Sequence, residues 1–112
     1  MKGNTPEGRV KKKVSDYLKA LKADLEARGY DLHVTMFVPT GYGKRNTLDY
    51  TICYAGLWVS IETKREDEDL TPLQKLTARA IIRSGGEVFV VSGDEGLNAF
   101  KNWVAKHASR YP

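Results

Sequence analysis

Apolar residues recur at helical spacing between residues 10 and 25, and they fall within one stripe about 100° wide. The stripe consists of Val10, Val14, Tyr17, Leu18, Leu21 and Leu25. Thr5 is a suitable N-cap, Pro6 fits the first turn and Gly29 is a natural stop, so the pattern predicts one long helix. Glu7 lies in the same stripe, which aims a carboxylate inward at the start of the helix. Alternatively, Glu7 only stabilises the helix N-terminus through the macrodipole.

Three segments rich in β-branched and aromatic residues follow, at 32–38, 48–54 and 57–64, and each is predicted to be a strand. Pro39 ends the first of them, and a polar, glycine-bearing loop at 41–46 separates it from the second. Ala55-Gly56 forms a tight turn between the second and third segments. The pattern therefore predicts antiparallel pairing along this part of the chain.

The second half predicts a helix, a strand and a further helix. An acidic run at 66–69 precedes Thr71-Pro72, which opens a helix that ends at Gly85-Gly86. One side of that helix carries Leu73, Leu76, Thr77, Ala80 and Ile81. Residues 88–92 form a short segment that is apolar up to Ser92, as in a strand buried on both faces, and Asp94 can cap a last helix.

The order is thus α-β-β-β-α-β-α, an α/β fold with a mixed sheet flanked by helices. The hairpins are antiparallel, and the crossover through the second helix lays the fourth strand parallel to a neighbour. A chain of 112 residues fits one domain, spanning residues 1–112.

Charge and composition narrow the classes of function. Residues 1–48 hold 10 basic and 5 acidic side chains, hence +5, whereas residues 49–112 hold 8 and 9, hence −1. A basic half favours a polyanionic partner. Cys53 is the single cysteine, which excludes an intrachain disulfide and a cysteine-rich zinc site. With no apolar run of about 20 residues and no signal-peptide pattern, we expect a cytoplasmic protein, in the host cytoplasm if viral, without a membrane partner.

The hairpin places charged side chains together at its open end, away from the turn. If Ala55-Gly56 is the turn, paired residues sum to 111, and Asp49 lies opposite Glu62 with Cβ atoms roughly 4.5–5.5 Å apart. Two carboxylates at that distance destabilise the hairpin unless one is protonated or a cation lies between them. Lys64 projects from the same face as Glu62. Paired acidic oxygens suit a hard cation such as Mg²⁺ or Mn²⁺.

Asp49 followed thirteen residues later by Glu62-Thr63-Lys64 resembles the D…(D/E)xK signature of the PD-(D/E)XK nuclease superfamily. More narrowly, the chain resembles the small stand-alone, phage-type VRR-NUC branch, through Glu7, the glycine-bearing loop before Asp49, and Thr71-Pro72-Leu73-Gln74. The resemblance runs from about residue 7 to residue 91 and implies a restriction-endonuclease-like α-β-β-β-α-β core. Leu48 stands where the family usually has proline.

The resemblance also implies roles for individual residues. The metal ligands would be Glu7, Asp49, Glu62 and the backbone carbonyl of Thr63, with Glu7 acting directly or through water. Lys64 would be the catalytic lysine, and Gln74 would position water or phosphate. Gln74 also stands three residues after Thr71, so a capping box explains it equally well.

Basic and aromatic side chains supply candidates for nucleic-acid contact. They are Arg9, Lys12 and Lys13 on the first helix and Tyr42, Lys44 and Arg45 on the glycine-bearing loop. The alternative for the helix positions is an ordinary solvated face. The acidic run at 66–69 would repel a phosphate backbone from the cleft, and we expect it to point away.

The sequence therefore predicts a Mg²⁺- or Mn²⁺-dependent DNA endonuclease. The resemblance favours branched or junction DNA as substrate, and the small size of the domain favours a homodimer that engages two strands. The alternatives are a non-catalytic nucleic-acid-binding module that retains the fold, and an accessory protein whose basic first helix docks an acidic partner.

Overall fold

The computed structural model describes residues 5–37 and 47–112, and its elements follow the predicted order. They are α1 (Pro6–Ala27), β1 (His33–Met36), β2 (Tyr50–Tyr54), β3 (Leu57–Thr63), α2 (Pro72–Arg83), β4 (Glu87–Val91) and α3 (Asp94–His107), then a 3-10 turn (Ala108–Arg110). Thr5 caps α1 by accepting a hydrogen bond from the Gly8 N–H at 2.9 Å, as predicted. No helix in the described ranges is long and apolar enough to cross a membrane.

The four strands form one mixed sheet in the order β1-β2-β3-β4. β1 and β2 pair antiparallel, as do β2 and β3, and β4 runs parallel to β3, which confirms the predicted topology. Ala55 (φ 49°) and Gly56 (φ 83°) form the two-residue turn between β2 and β3. Because that turn sets the register, Tyr54 pairs with Leu57 and Tyr50 with Ile61, and the sum of 111 is confirmed.

One face of the sheet carries the hydrophobic core, which α1 and α3 both cover. The fully buried members of the core are Val14, Leu25, Leu32, Ile52, Tyr54, Val59, Ile61, Val91 and Phe100. Tyr17 of α1 meets Phe100 of α3 edge to face, with ring centroids 5.6 Å apart. The opposite face carries Trp58, Ser60 and Glu62, and α2 lies against it.

β2 is shorter than the predicted segment 48–54, because side chains replace the backbone ladder at its start. The Asp49 N–H donates to the Glu62 side chain at 3.0 Å, and the Thr63 N–H donates to the Asp49 side chain at 2.9 Å. The Asp49 carbonyl still accepts from the Phe37 N–H at 2.8 Å, on the β1 side. Predicted strand residue 38 and the loop at 41–46 lie outside the described residues.

Two expectations for the second half are wrong. β4 is not buried on both faces, because it forms the edge of the sheet and Val90 is 41% exposed. Asp94 does not cap α3: the helix begins at Asp94 itself, and Gly93 is the N-cap without a side-chain hydrogen bond. In addition, the apolar side of α2 is largely uncovered, since Leu73 and Leu76 are exposed and Ala78 is the buried residue of that helix.

Candidate active site

Five polar residues predicted from the sequence meet at the open end of the β2–β3 hairpin. They are Asp49, Glu62, Thr63, Lys64 and Gln74. Asp49, Glu62 and Lys64 are only 7%, 2% and 6% exposed. Burial of charged groups is costly unless hydrogen bonds and opposite charges compensate it, so each group here must be held by specific partners.

Asp49 is held by Thr63. Its Oδ2 atom accepts the Thr63 N–H at 2.9 Å and the Thr63 hydroxyl at 2.6 Å. Hydrogen bonds to a carboxylate are short and roughly twice as strong as those between neutral groups. This pair of donors therefore fixes the position of the Asp49 carboxylate relative to β3.

Glu62 is held from three directions. Its Oε1 atom accepts the Asp49 N–H at 3.0 Å, and its Oε2 atom accepts the Gln74 side-chain amide at 2.8 Å. The Lys64 ammonium lies 3.9 Å from the same Oε2 atom. Glu62 thus links the start of β2, the end of β3 and the first turn of α2.

Local sequence explains why Gln74 and Lys64 are in place. The Gln74 Oε1 atom accepts the Thr71 N–H at 2.9 Å, and Thr71 accepts the Gln74 N–H in return, so the capping box is formed. That box orients the Gln74 Nε2 atom towards Glu62, so the capping-box interpretation is confirmed, whereas a role of Gln74 in positioning water or phosphate stays a prediction. The Lys64 N–H donates to the Val91 carbonyl at 2.9 Å, which anchors Lys64 just beyond β3.

The two carboxylates are stabilised by hydrogen-bond donors of the chain itself. Facing carboxylates were expected to require a proton or a cation, whereas the structure surrounds them with backbone, hydroxyl, amide and ammonium donors. The hydrogen bond from the Thr63 hydroxyl to Asp49 does not follow from strand alternation, which places the Thr63 side chain on the face opposite Glu62. The β-branched residue type of Thr63 at a buried position next to two acids was the available signal for this contact.

Within the described residues, Glu7 makes no hydrogen bond or ion pair to this cluster. It is half-buried in the first turn of α1 and lines a hollow with Thr5, Gly8 and Lys11. Within residues 5–37 and 47–112, no three His, Cys, Asp or Glu side chains form a group that could hold a metal ion. The role of Glu7 as a metal ligand stays a prediction.

A hollow of about 230 Å³ lies between the start of α1, Glu66 and the segment that leads from the end of β4 into α3. Arg9 and Lys13 line it, and so does Val91, whose carbonyl binds the Lys64 N–H. Lys13 also pairs with Asp94 at 3.0 Å. Lys12 instead pairs with Asp16 along the helix at 2.7 Å, so the three basic candidates divide between the hollow and the outer helix surface.

Glu66 of the acidic run lines the same hollow as Arg9 and Lys13. The expectation that the run points away from the candidate active site stays a prediction. Asp67 is strongly exposed, and Asp69 pairs with Lys75 at 3.0 Å. The candidates Tyr42, Lys44 and Arg45 lie outside the described residues.

Comparison of the chain with protein-family models and with curated proteins gives no match. The α/β architecture with a four-stranded mixed sheet and three helices is therefore established by the structure alone. The function must be argued from the residues of the site.

Proposed function

We propose that the chain is a metal-dependent DNA endonuclease of the PD-(D/E)XK type, within its VRR-NUC branch. The observation that carries the proposal is the buried cluster in which Asp49, Glu62 and Lys64 come together at one end of a hairpin. Asp49 and the Glu62-Thr63-Lys64 triplet are the residues on which the resemblance rests. Their proximity in space is what the proposed chemistry requires.

The donor set fits a hard divalent cation. Asp49 and Glu62 offer carboxylate oxygens at adjacent buried positions, and the Thr63 carbonyl is an oxygen donor of the kind that such ions accept. Mg²⁺ is commonly held by one or two carboxylates and completes its octahedron with water and substrate phosphate, so a third carboxylate is not needed. Bound Mg²⁺ or Mn²⁺ would polarise the scissile phosphoryl group and neutralise the charge that develops on it.

The chain's own residues supply the remaining functions. Thr63 holds one Asp49 oxygen, and Gln74 holds one Glu62 oxygen, so the carboxylates are fixed before substrate arrives. The Lys64 ammonium, kept nearby by Glu62, supplies a positive charge and hydrogen-bond donors for the transition state of phosphoryl transfer. Preorganised donors of this kind require no reorganisation during the reaction.

Nucleic acid is the proposed substrate because two cationic side chains, Arg9 and Lys13, line the hollow at the start of α1. Cationic side chains of this kind are the usual contacts of backbone phosphates. Glu66 in the same hollow limits how closely a phosphate approaches it. The preference for branched or junction DNA follows from the resemblance to VRR-NUC proteins.

The test is a cleavage panel of single-stranded, duplex, flap and four-way DNA with Mg²⁺, with Mn²⁺ and with chelator. We expect metal-dependent cleavage that Asp49→Asn, Glu62→Gln and Lys64→Ala each reduce by roughly a hundredfold or more. Asp24→Asn, an exposed carboxylate on α1, is the matched control and should cut like the parent.

Equal rates in the parent and the three site variants would refute the assignment of these residues. Salt-sensitive DNA binding without cleavage of any substrate would refute the enzyme and favour the non-catalytic binding module. Circular dichroism of each variant separates lost chemistry from lost folding.

A further inference from the structure

The sheet face opposite the hydrophobic core is open near the turn end of the β2–β3 hairpin. His33, Cys53 and Trp58 lie side by side there on β1, β2 and β3, because Cys53 is the register partner of both other residues. All three side chains are exposed, Trp58 by 54%. An aromatic side chain is therefore presented on an open part of the sheet.

The open face continues to the candidate active site. Strand alternation places Trp58, Ser60 and Glu62 on the same face of β3, so Trp58 lies four residues, or about 13 Å, from Glu62. The hydroxyls of Ser60 and Thr51 lie between them, 3.5 Å apart, and the exposed Thr35 is the partner of Thr51 on β1. None of these intervening strand residues is acidic.

Trp58 is held in place although it is exposed. Its indole N–H donates to the Ser60 hydroxyl at 3.0 Å, which directs the ring along β3 towards the open end of the hairpin. Gly86 lies so close that a Cβ atom there would be 2.9 Å from the Trp58 ring. A hollow of about 360 Å³ separates Trp58 from Ala80 and Ser84 of the α2 end, a volume in the range of small-ligand sites.

The charges around Trp58 favour an anionic ligand. Arg79 and Arg83 of α2 are exposed, and α2 contains no acidic residue. Glu87 at the start of β4 faces the other side of the sheet, because its register partner Val59 is buried in the core. A polyanion with flat, stackable groups fits both the exposed ring and the positive helix, and single-stranded nucleic acid is such a ligand.

We infer that a single-stranded stretch of nucleic acid lies across this open sheet face, with one base stacked on Trp58. The inference rests on the proposed function, because the strand leads to the proposed catalytic site at Asp49 and Glu62. Stacked nucleotides advance about 3.4 Å each, so the distance of about 13 Å corresponds to about four nucleotides. The substrate class narrows to nucleic acid with a single-stranded segment next to the cut.

The test measures binding in the presence of chelator, so that it does not depend on cleavage. The probes are an oligothymidylate of about 12 nucleotides and a blunt duplex of the same length. We expect Trp58→Ala to weaken binding of the single strand by roughly tenfold, the size typical of one lost stacking contact, and to leave duplex binding nearly unchanged. Trp58→Phe should retain most of the affinity, because a ring remains.

Met36→Ala is the matched control. Met36 is 60% exposed on β1, and its register partner Tyr50 belongs to the core, so it lies on the other face of the sheet. The single-strand affinity of this variant should equal that of the parent. Thermal melts confirm that each variant is folded.

The thiol of Cys53 gives a second readout in the parent chain itself. Cys53 is the single cysteine, is exposed and pairs directly with Trp58. We expect oligothymidylate to slow the reaction of this thiol with a small thiol reagent severalfold, because the strand covers it. Trp58→Ala should reduce this protection.

Equal single-strand affinity in the parent and in Trp58→Ala would overturn the inference, and so would an equal loss of duplex binding. Self-association of the free chain through Trp58, detected by sedimentation, would assign the hollow to a second copy and overturn it as well. Failure of the proposed function is recognised separately. Single-strand binding that depends on Trp58, without cleavage of any substrate, would support the stacking site and refute the enzyme.

Discussion

The turn end of the β2–β3 hairpin is packed with aromatic side chains and its open end with charged ones, although the same two strands run through both. At the turn end, Tyr54 packs edge to face against Trp103 and Tyr111, with ring centroids 5.6 and 4.9 Å apart. The Tyr111 hydroxyl accepts the Ala55 N–H at 2.8 Å and so fastens the C-terminal part of the chain to the turn. At the open end, buried carboxylates and an ammonium take the place of aromatic rings.

The comparison indicates that the turn end contributes mainly to the stability of the fold, whereas the open end holds the residues proposed for catalysis. Buried aromatic packing stabilises the fold through area removed from water, whereas a buried cluster of charges is rarely the most stable solution for its volume. The turn end therefore holds the hairpin in register, and the open end uses that register to bring acids together. Substitutions at the two ends should have different signatures in stability.

The largest loss of stability should come from the turn end. Tyr54→Ala removes a buried ring and its contacts with Trp103 and Tyr111, and we expect the free energy of unfolding to fall by about 3–5 kcal/mol. Urea unfolding followed by circular dichroism measures this. Cys53→Ala, at the neighbouring exposed free thiol, is the control and should stay within about 0.5 kcal/mol of the parent. Equal losses in the two variants would contradict the assignment of the turn end as the stabilising core.

A smaller loss is expected at the open end when its ammonium is removed. Lys64→Met keeps the length of the side chain but leaves the Glu62 carboxylate without this neighbour, and we expect a fall of about 1–3 kcal/mol in the free energy of unfolding. The same urea experiment applies, with Lys19→Met on the exposed face of α1 as the control. A Lys64→Met protein as stable as the parent would show that the 3.9 Å contact contributes nothing.

The smallest effect concerns alkaline pH at the turn end. Burial raises the pKa of the Tyr54 phenol, Tyr111 adds to the shift and Arg28 opposes it. The native state therefore prefers the protonated phenol, so this contribution to stability is complete below the usual pKa near 10 and is lost as the pH rises through the raised value. Burial also raises the pKa of Tyr17, with the same sign.

Urea midpoints measured between pH 8 and pH 11 check this dependence. The midpoint should fall above pH 10 in the parent and fall less steeply in Tyr54→Phe, which lacks the titrating group. Identical pH profiles would contradict the assignment of the effect to Tyr54.

Much of the local structure follows from sequence because local rules decide it. Ala55-Gly56 fixes the turn and hence the register, and Thr5 and Thr71 fix where two helices begin. The three-residue spacing between Thr71 and Gln74 predicts the capping box, and the box places the Gln74 side chain within hydrogen-bond distance of Glu62. These features depend on neighbours a few residues apart.

Features set by distant contacts did not follow from sequence. The apolar side of α2 is largely uncovered, because α1 and α3 cover one face of the sheet and α2 only part of the other. The bond between Tyr111 and Ala55 joins residues 56 positions apart, which no local pattern encodes. Thr63 likewise binds Asp49 only because the strands pair, and the start of β2 moves as a result.

The central claim is that the buried acids of the open end form a divalent cation site, and thermal stability in the presence of metal tests it most directly. An ion that binds only the folded state adds about 2.7 kcal/mol to the free energy of unfolding when its concentration is a hundred times its dissociation constant. We expect Mg²⁺ and Mn²⁺ to raise the melting temperature of the parent in a saturable manner, and to leave Asp49→Asn and Glu62→Gln unchanged. A parent that shows no shift at millimolar metal, or variants that shift as much as the parent, would contradict the account.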